Sequence, residues 1–128
     1  MGFGYPDKIT ELMTTFLDVQ SRRAQVISGN IANADTPDYI AKQLEFDDFL
    51  KDAARNALTQ GDNNESQRLI SSPSIVERIP NAVGIDGNTV EVGKEMAELT
   101  ETGMQFLTGT KILQSRLRTL RTAIKEGK

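Results

Sequence analysis

Neither cysteine nor histidine occurs in these 128 residues. Their absence removes disulfides, thiolate nucleophiles, Ser-His and Cys-His pairs and most zinc sites; any metal would have to sit on carboxylates, and any catalysis on Asp, Glu or Lys. It leaves the compartment open, because a protein in an oxidising space need not use disulfides. Tryptophan is missing too, only 38% of residues are hydrophobic, and mean hydropathy is −0.40. The length fits one domain. A compact chain of this size buries about two thirds of its unfolded surface, which two long helices joined by polar chain do not reach alone. Partners are therefore expected to complete the fold. No apolar run is long enough to span a membrane. The N-terminus lacks a basic segment, and Lys8, Glu11 and Asp18 interrupt its apolar residues, so no cleaved secretory signal is expected. A net charge of −3 argues against nucleic acid as a partner.

What is present is helical periodicity. Ile9, Leu12, Met13, Phe16, Leu17, Ala24, Val26, Ile27 and Ile31 form a stripe that predicts a helix over residues 5–34, with Pro6 at its first position. Pro37 pushes Thr36 toward an extended backbone, and Asn33 and Asp35 bond local peptide groups, so the helix ends near residues 32–34. A second stripe takes Val92, Met96, Leu99, Gly103, Phe106, Thr110, Leu113, Leu117, Leu120 and Ile124. The unbroken four-three spacing is that of a coiled-coil seam, on a helix predicted over residues 89–126 and about 50 Å long. Gly103 in that seam is read as a close-approach point or a kink.

Between them, residues 35–88 read as a turn, a short helix and a linker. Asp47-Asp48 opens a helix of about three turns, whose small apolar side (Phe49, Leu50, Ala53, Ala54, Ala57, Leu58) needs something to dock on. Gly61 to Gln67 reads as polar linker, and Arg68 to Ile79 as two short extended pieces about a turn that pack on neighbours. Asn88 and Glu91 have the spacing of a capping box for the last helix. The fold class is thus mostly α, with long terminal helices forming a coiled-coil axial domain, a short middle helix and an extended central region.

Catalytic signals are weak. Asp47 and Asp48 project in different directions and suit the positive end of a helix better than acid/base work, and no phosphate-cradling loop precedes a helix. No catalytic, cofactor or metal site is expected. On the last helix, Glu91, Glu95, Glu98 and Glu101 crowd the first half and Lys111, Arg116, Arg118, Arg121 and Lys125 the second. That order complements the helix dipole, and would also guide head-to-tail stacking of equivalent helices.

The stretch Asn30-Ile31-Ala32-Asn33-Ala34-Asp35-Thr36-Pro37-Asp38-Tyr39 resembles the Asn-x-x-Asn-x-x-Thr-Pro-Gly-Tyr signature that follows the first helix in the flagellar rod and hook axial proteins. Asp38 stands where that family usually has Gly, and Asp tolerates positive φ better than most residues. Gly103-Met104-Gln105-Phe106 departs from the Asn and Tyr expected there. The short length, the Asp86-Gly87-Asn88-Thr89-Val90 approach and the Glu95-Met96 pair look most like the short rod proteins of that family. The resemblance implies a structural subunit of the proximal rod of the bacterial flagellar basal body, exported without a cleaved signal peptide and stacking helically to transmit torque and line a channel. Its implied partners are copies of itself, other rod proteins, basal-body ring and export-gate proteins and rod adaptors. The subunit-interaction residues expected on this reading are Asn30, Asn33, Thr36, Pro37, Tyr39, Met96, Leu99, Phe106, Leu113, Leu117, Leu120 and Ile124. Apart from the resemblance, the residues also fit a non-flagellar coiled-coil adaptor or secretion chaperone.

Overall fold

The computed structural model describes residues 7–58 and 72–127. Three helices and two strands follow in the order α1 (Lys8–Ala32), β1 (Lys42–Glu45), α2 (Asp47–Leu58), β2 (Ser74–Glu77) and α3 (Val92–Glu126). The expected mostly helical architecture, with two long terminal helices and a short middle one, is what forms. Pro6, the polar Gly61 to Gln67 stretch and the extended piece around Leu69 and Ile70 lie outside the described residues.

Helix α1 starts where Asp7, in extended conformation, accepts the Thr10 amide at 2.8 Å, filling one of the orphan donors of the first turn. It stops at Asn33, whose backbone N–H donates to the carbonyls of Gly29 and Asn30 while its side-chain amide donates to Gly29 O at 2.8 Å. Helix α2 opens on Asp47 and Asp48 as expected and docks against α1. None of its apolar side chains is fully buried and Leu58 is exposed, and Arg23 of α1 lies 5.7 Å over the neighbouring Phe46 ring.

The two long helices pack antiparallel. Asp7 at the start of α1 pairs with Arg116, Phe16 and Leu17 meet Gly109, and Asn30 near its end meets Glu95. The face that α3 turns toward α1 is therefore Glu95, Thr102, Gly109 and Arg116, of which the first three are buried. This corrects the expected seam. The repeat of seven is there, but the inward face is centred one residue earlier, about 100° around the helix. Val92, Met96, Leu117 and Ile124 are left exposed. Gly103 does not mediate the intramolecular approach either: nothing lies within 4 Å of where its Cβ would be, and α3 runs through it unbroken. The close contact is at Gly109, where a methyl would sit 2.9 Å from Leu17 Cδ2 and 3.0 Å from Phe16 Cδ1.

A second correction concerns the entry to α3. The helix begins at Val92 with Glu91 in the cap position and no side-chain cap bond, so Asn88 and Glu91 do not form a capping box. Asn88 is occupied elsewhere, as described below. The strands were only half expected. Ile75 and Val76 are extended and pack on a neighbour as expected, and that neighbour is β1, antiparallel in the register Lys42↔Glu77 to Glu45↔Ser74.

The two glycines of α3 should respond oppositely. Gly109→Val is expected to destabilise the subunit by about 1–3 kcal/mol through overpacking, and Gly103→Ala to stabilise it by up to about 1 kcal/mol through helix propensity. Urea unfolding of the purified variants measures both, and equal responses would mean that the helices do not meet at Gly109.

Candidate functional site

Around the turn after α1 the structure gathers three buried polar side chains, Asn30, Asn88 and Glu95. Asn30 is completely buried, and its side-chain amide uses every bond it has. Nδ2 donates to Lys42 O at 2.8 Å and to Glu95 Oε2 at 3.0 Å; Oδ1 accepts from Lys42 N at 2.9 Å and from the Tyr39 hydroxyl at 3.3 Å. Lys42 is thus bonded on both its peptide groups by one side chain, much as an adjoining strand would bond it. No bond of the Asn30 amide is left for a neighbouring subunit.

Glu95, also fully buried, continues the network. Its carboxylate takes Asn30 on one oxygen and Arg78 on the other, and the Arg78 guanidinium also donates from Nη2 to Glu98 Oε2 at 3.0 Å. Arg78 lies just past β2, and its backbone N–H donates to Ala41 O at 2.8 Å. One ion cluster therefore locks α1, β1, the β2 segment and α3 together. Removing one member of such a buried cluster costs about 3–5 kcal/mol, because the partner charge stays behind unpaired.

Asn88 performs the closure on the other side. Its Nδ2 lies 2.8–2.9 Å from the carbonyls of Asn33, Ala34 and Thr36, in the turn that follows α1, and its Oδ1 accepts the Val90 amide at 2.7 Å. Asp38 N donates to Asp86 O and Thr89 N to Tyr39 O, while the Thr89 hydroxyl accepts from Ala41 N. Asp38 has φ of 60° and faces Gly87, at φ of 80°; a methyl on Gly87 would lie 2.2 Å from Asp38 Oδ1. Asp in place of the usual glycine therefore keeps the left-handed turn.

The expected site residues fall into two groups. Asn30, Asn33, Thr36 and Tyr39 come together in this turn, with the Thr36 hydroxyl 3.2 Å from Asn33 Oδ1, and Pro37 is exposed at the turn. Leu99 and Leu113 are half-buried along α3, and Phe106 and Leu120 are exposed at its flank. Met96, Leu117 and Ile124 point away from α1 at 52%, 47% and 52% exposure. The sequence reading missed Arg78, Glu95 and Asn88 as a set. Glu95 carried a signal: an acid beside Met96, within the apolar repeat of the last helix. Among the described residues no three acidic side chains gather as a metal site would need, and no helix is long and apolar enough to cross a membrane.

At the far end of the helix pair, Arg116 donates from Nε at 3.1 Å and from Nη2 to Asp7 Oδ2. These bonds, with smaller contributions from Thr10, hold the Asp7 carboxyl well below its ordinary value of 3.8. A depressed carboxyl stabilises the fold above the unfolded value and loses that contribution as pH falls toward the folded one. Arg116→Gln should therefore return the Asp7 titration toward 3.8 and flatten the loss of stability below pH 4, both measurable by carboxyl-carbon NMR and acid unfolding. Asn30→Leu should cost about 3 kcal/mol or more, since the Lys42 peptide, the Tyr39 hydroxyl and Glu95 all lose a partner. A loss below about 1 kcal/mol in denaturant unfolding would show that water replaces the amide.

No protein-family model matches the chain. Individual proteins do. The chain is 32% identical over 124 residues to the flagellar basal body rod protein FlgB of Aeromonas hydrophila, covering 93% of this chain and 94% of that one. It is 28% identical over 122 residues to FlgB of Salmonella typhimurium and 27% identical over 122 residues to FlgB of Escherichia coli, with 87% of this chain and 88% of each relative covered. With near full-length coverage on both sides, and with the turn built on Asn30, Asn33 and Asp38 in place, the chain belongs to the flagellar basal body rod protein FlgB family.

Proposed function

We propose that the chain is a structural subunit of the proximal rod of the flagellar basal body, stacking with copies of itself and other rod proteins into a tube that transmits torque and lines the export channel. Its work is mechanical, and its neighbours are rod, ring, export-gate and adaptor proteins. The observation that carries this reading is the division of α3 into two faces. Its polar and small face is used up against α1, and its apolar stripe, Met96, Leu117, Leu120 and Ile124, is turned outward along a helix about 52 Å long. An apolar stripe of that length and regularity supports association with further helices. Contacts that join unlike surfaces without closing a ring propagate as a helix, the geometry of a rod.

Leu99, Phe106 and Leu113 border that stripe and belong to the same proposed surface. Asn30, Asn33, Thr36 and Tyr39 act on it at one remove, by fixing how the chain leaves α1, and Pro37 is presented on the outside of the turn. The charged first and second halves of α3 set the longitudinal direction of stacking. The subunit reaches the rod by the flagellum's own export route.

Leu117→Asp separates folding from assembly. Because Leu117 is half-exposed in the subunit, the purified variant should keep its stability within about 0.5 kcal/mol. In the assembled rod the same charge would be buried without a partner at a cost of several kcal/mol. Cells carrying only this variant should export it and fail to build rods, seen as loss of motility and of basal bodies by electron microscopy. Normal basal bodies in that strain, or in a strain lacking the protein altogether, would refute the rod reading.

A further inference from the structure

The subunit carries unpaired charge of opposite sign at its two ends. The segments that close the end near Asn30, residues 33–41 and 79–91, hold Asp35, Asp38, Asp86 and Glu91 and no lysine or arginine. All four are exposed, and the bond from Asp38 N to Asp86 O brings two of them onto one turn. Lys42 and Lys94, just outside these segments, leave that end net negative. Residues 102–125 of α3 hold the reverse: Lys111, Arg116, Arg118, Arg121 and Lys125, and no acid. Arg116 faces α1 and is bonded to Asp7. The other four are exposed. They lie between about 140° and 220° around the helix from Arg116, on the side away from α1. Among the described residues, neither these four cations nor the four acids have an ion pair. The helix dipole accounts for Lys125 but not for Lys111 or Arg118, since its influence falls off within the last turn.

We propose that the basic end of α3 in one copy of this chain docks on the acidic closed end of the next, so that copies stack head to tail. This rests on the rod reading and specifies one of its contacts. The charges cannot meet within a subunit. Glu91 stands at the start of α3, and Lys111, the nearest of the four cations along it, is about 30 Å away, several times the screening length at physiological salt. Of the acids that begin α3, Glu95 and Glu98 are already neutralised by Arg78, which leaves most of the free negative charge to the turn and the loop that precede the helix. Apolar side chains accompany the charges on both surfaces. Ile85 stands beside Asp86 and Ile40 near Asp38, as Leu117 stands beside Arg118 and Ile124 beside Lys125, and all four apolar residues are exposed. Charge then sets direction and approach, while the apolar neighbours contribute burial. Because the two surfaces are unlike, each added copy leaves one of each sign free, and the contact repeats without closing.

A zero-length carbodiimide joins a lysine amine only to a carboxylate that touches it. Applied to isolated basal bodies, it should link Lys111 or Lys125 of one copy to Asp35, Asp86 or Glu91 of another, read by mass spectrometry, in products that extend beyond the dimer. No such link, links from these lysines only to other rod proteins, or products that stop at a closed antiparallel pair would each overturn the head-to-tail contact. Charge reversal tests it independently. In cells carrying only the variant, Arg118→Glu with Arg121→Glu, and Asp35→Lys with Glu91→Lys, should each reduce swarming about tenfold or more, and the four together should restore most of it. All four positions are exposed, so the purified variants should keep the urea midpoint of the parent. Where a variant loses that midpoint, the cross-link in the unaltered protein decides. Normal swarming of both double variants, or no recovery when they are combined, would overturn the contact and leave the rod reading standing. Intact basal bodies in cells lacking the protein would instead remove the reading on which it rests.

Discussion

Everything at the closed end of this subunit depends on one primary amide. Asn30 is positioned by the last turn of α1, and its four bonds reach the Lys42 peptide twice, the Tyr39 hydroxyl and the Glu95 carboxylate. A planar group with two donors and two acceptors is the smallest side chain able to do this, and no isosteric apolar residue can. Fully satisfied, such a buried network is directional: it admits one arrangement of α1, β1 and α3 and penalises every other. The Arg78–Glu95 pair extends that selectivity to β2, whose four residues would not hold a sheet in place by themselves.

That economy explains why so little of the surface is apolar on the inside. The fully hydrophobic buried residues are few, Val19, Ile27, Ala41 and Leu44 among them, while Gln20, Asn30, Glu95 and Thr102 are buried just as deeply. In a globular enzyme the apolar repeat of a long helix would be spent on the core. Here the inner face is made of polar and small residues, which give definition and limited burial energy, and the apolar repeat is kept for the outside.

Much of this was legible in the chain. The ends of α1 and the start of α2 follow from Pro37, Asn33 and Asp47-Asp48, whose effects are local. The left-handed turn at Asp38 was legible for the same reason. The rotation of α3 was not, because periodicity reports that a stripe exists and cannot say whether it faces inward. Asn88 was misread because capping spacing is a local pattern, whereas its real acceptors, Asn33, Ala34 and Thr36, lie more than fifty residues away. Strand β1 left no trace in the pattern of Lys42 to Glu45, since its pairing is specified by the Asn30 amide on one edge and by β2 on the other.

The helix pair is fastened at both ends, by Asp7–Arg116 at one and Asn30–Glu95 at the other, with the Gly109 contact between. Apolar helix faces are forgiving of slippage, since moving by a turn exchanges one hydrophobic contact for a similar one. Directional bonds are not. A pull along the axis that would slide α1 past α3 strains both fastenings together, and a turn from Arg116 stand only Ile112, Leu113, Thr119 and Leu120, none of which can take its place with Asp7, so the pair behaves as a strut that holds its length until it gives way at once.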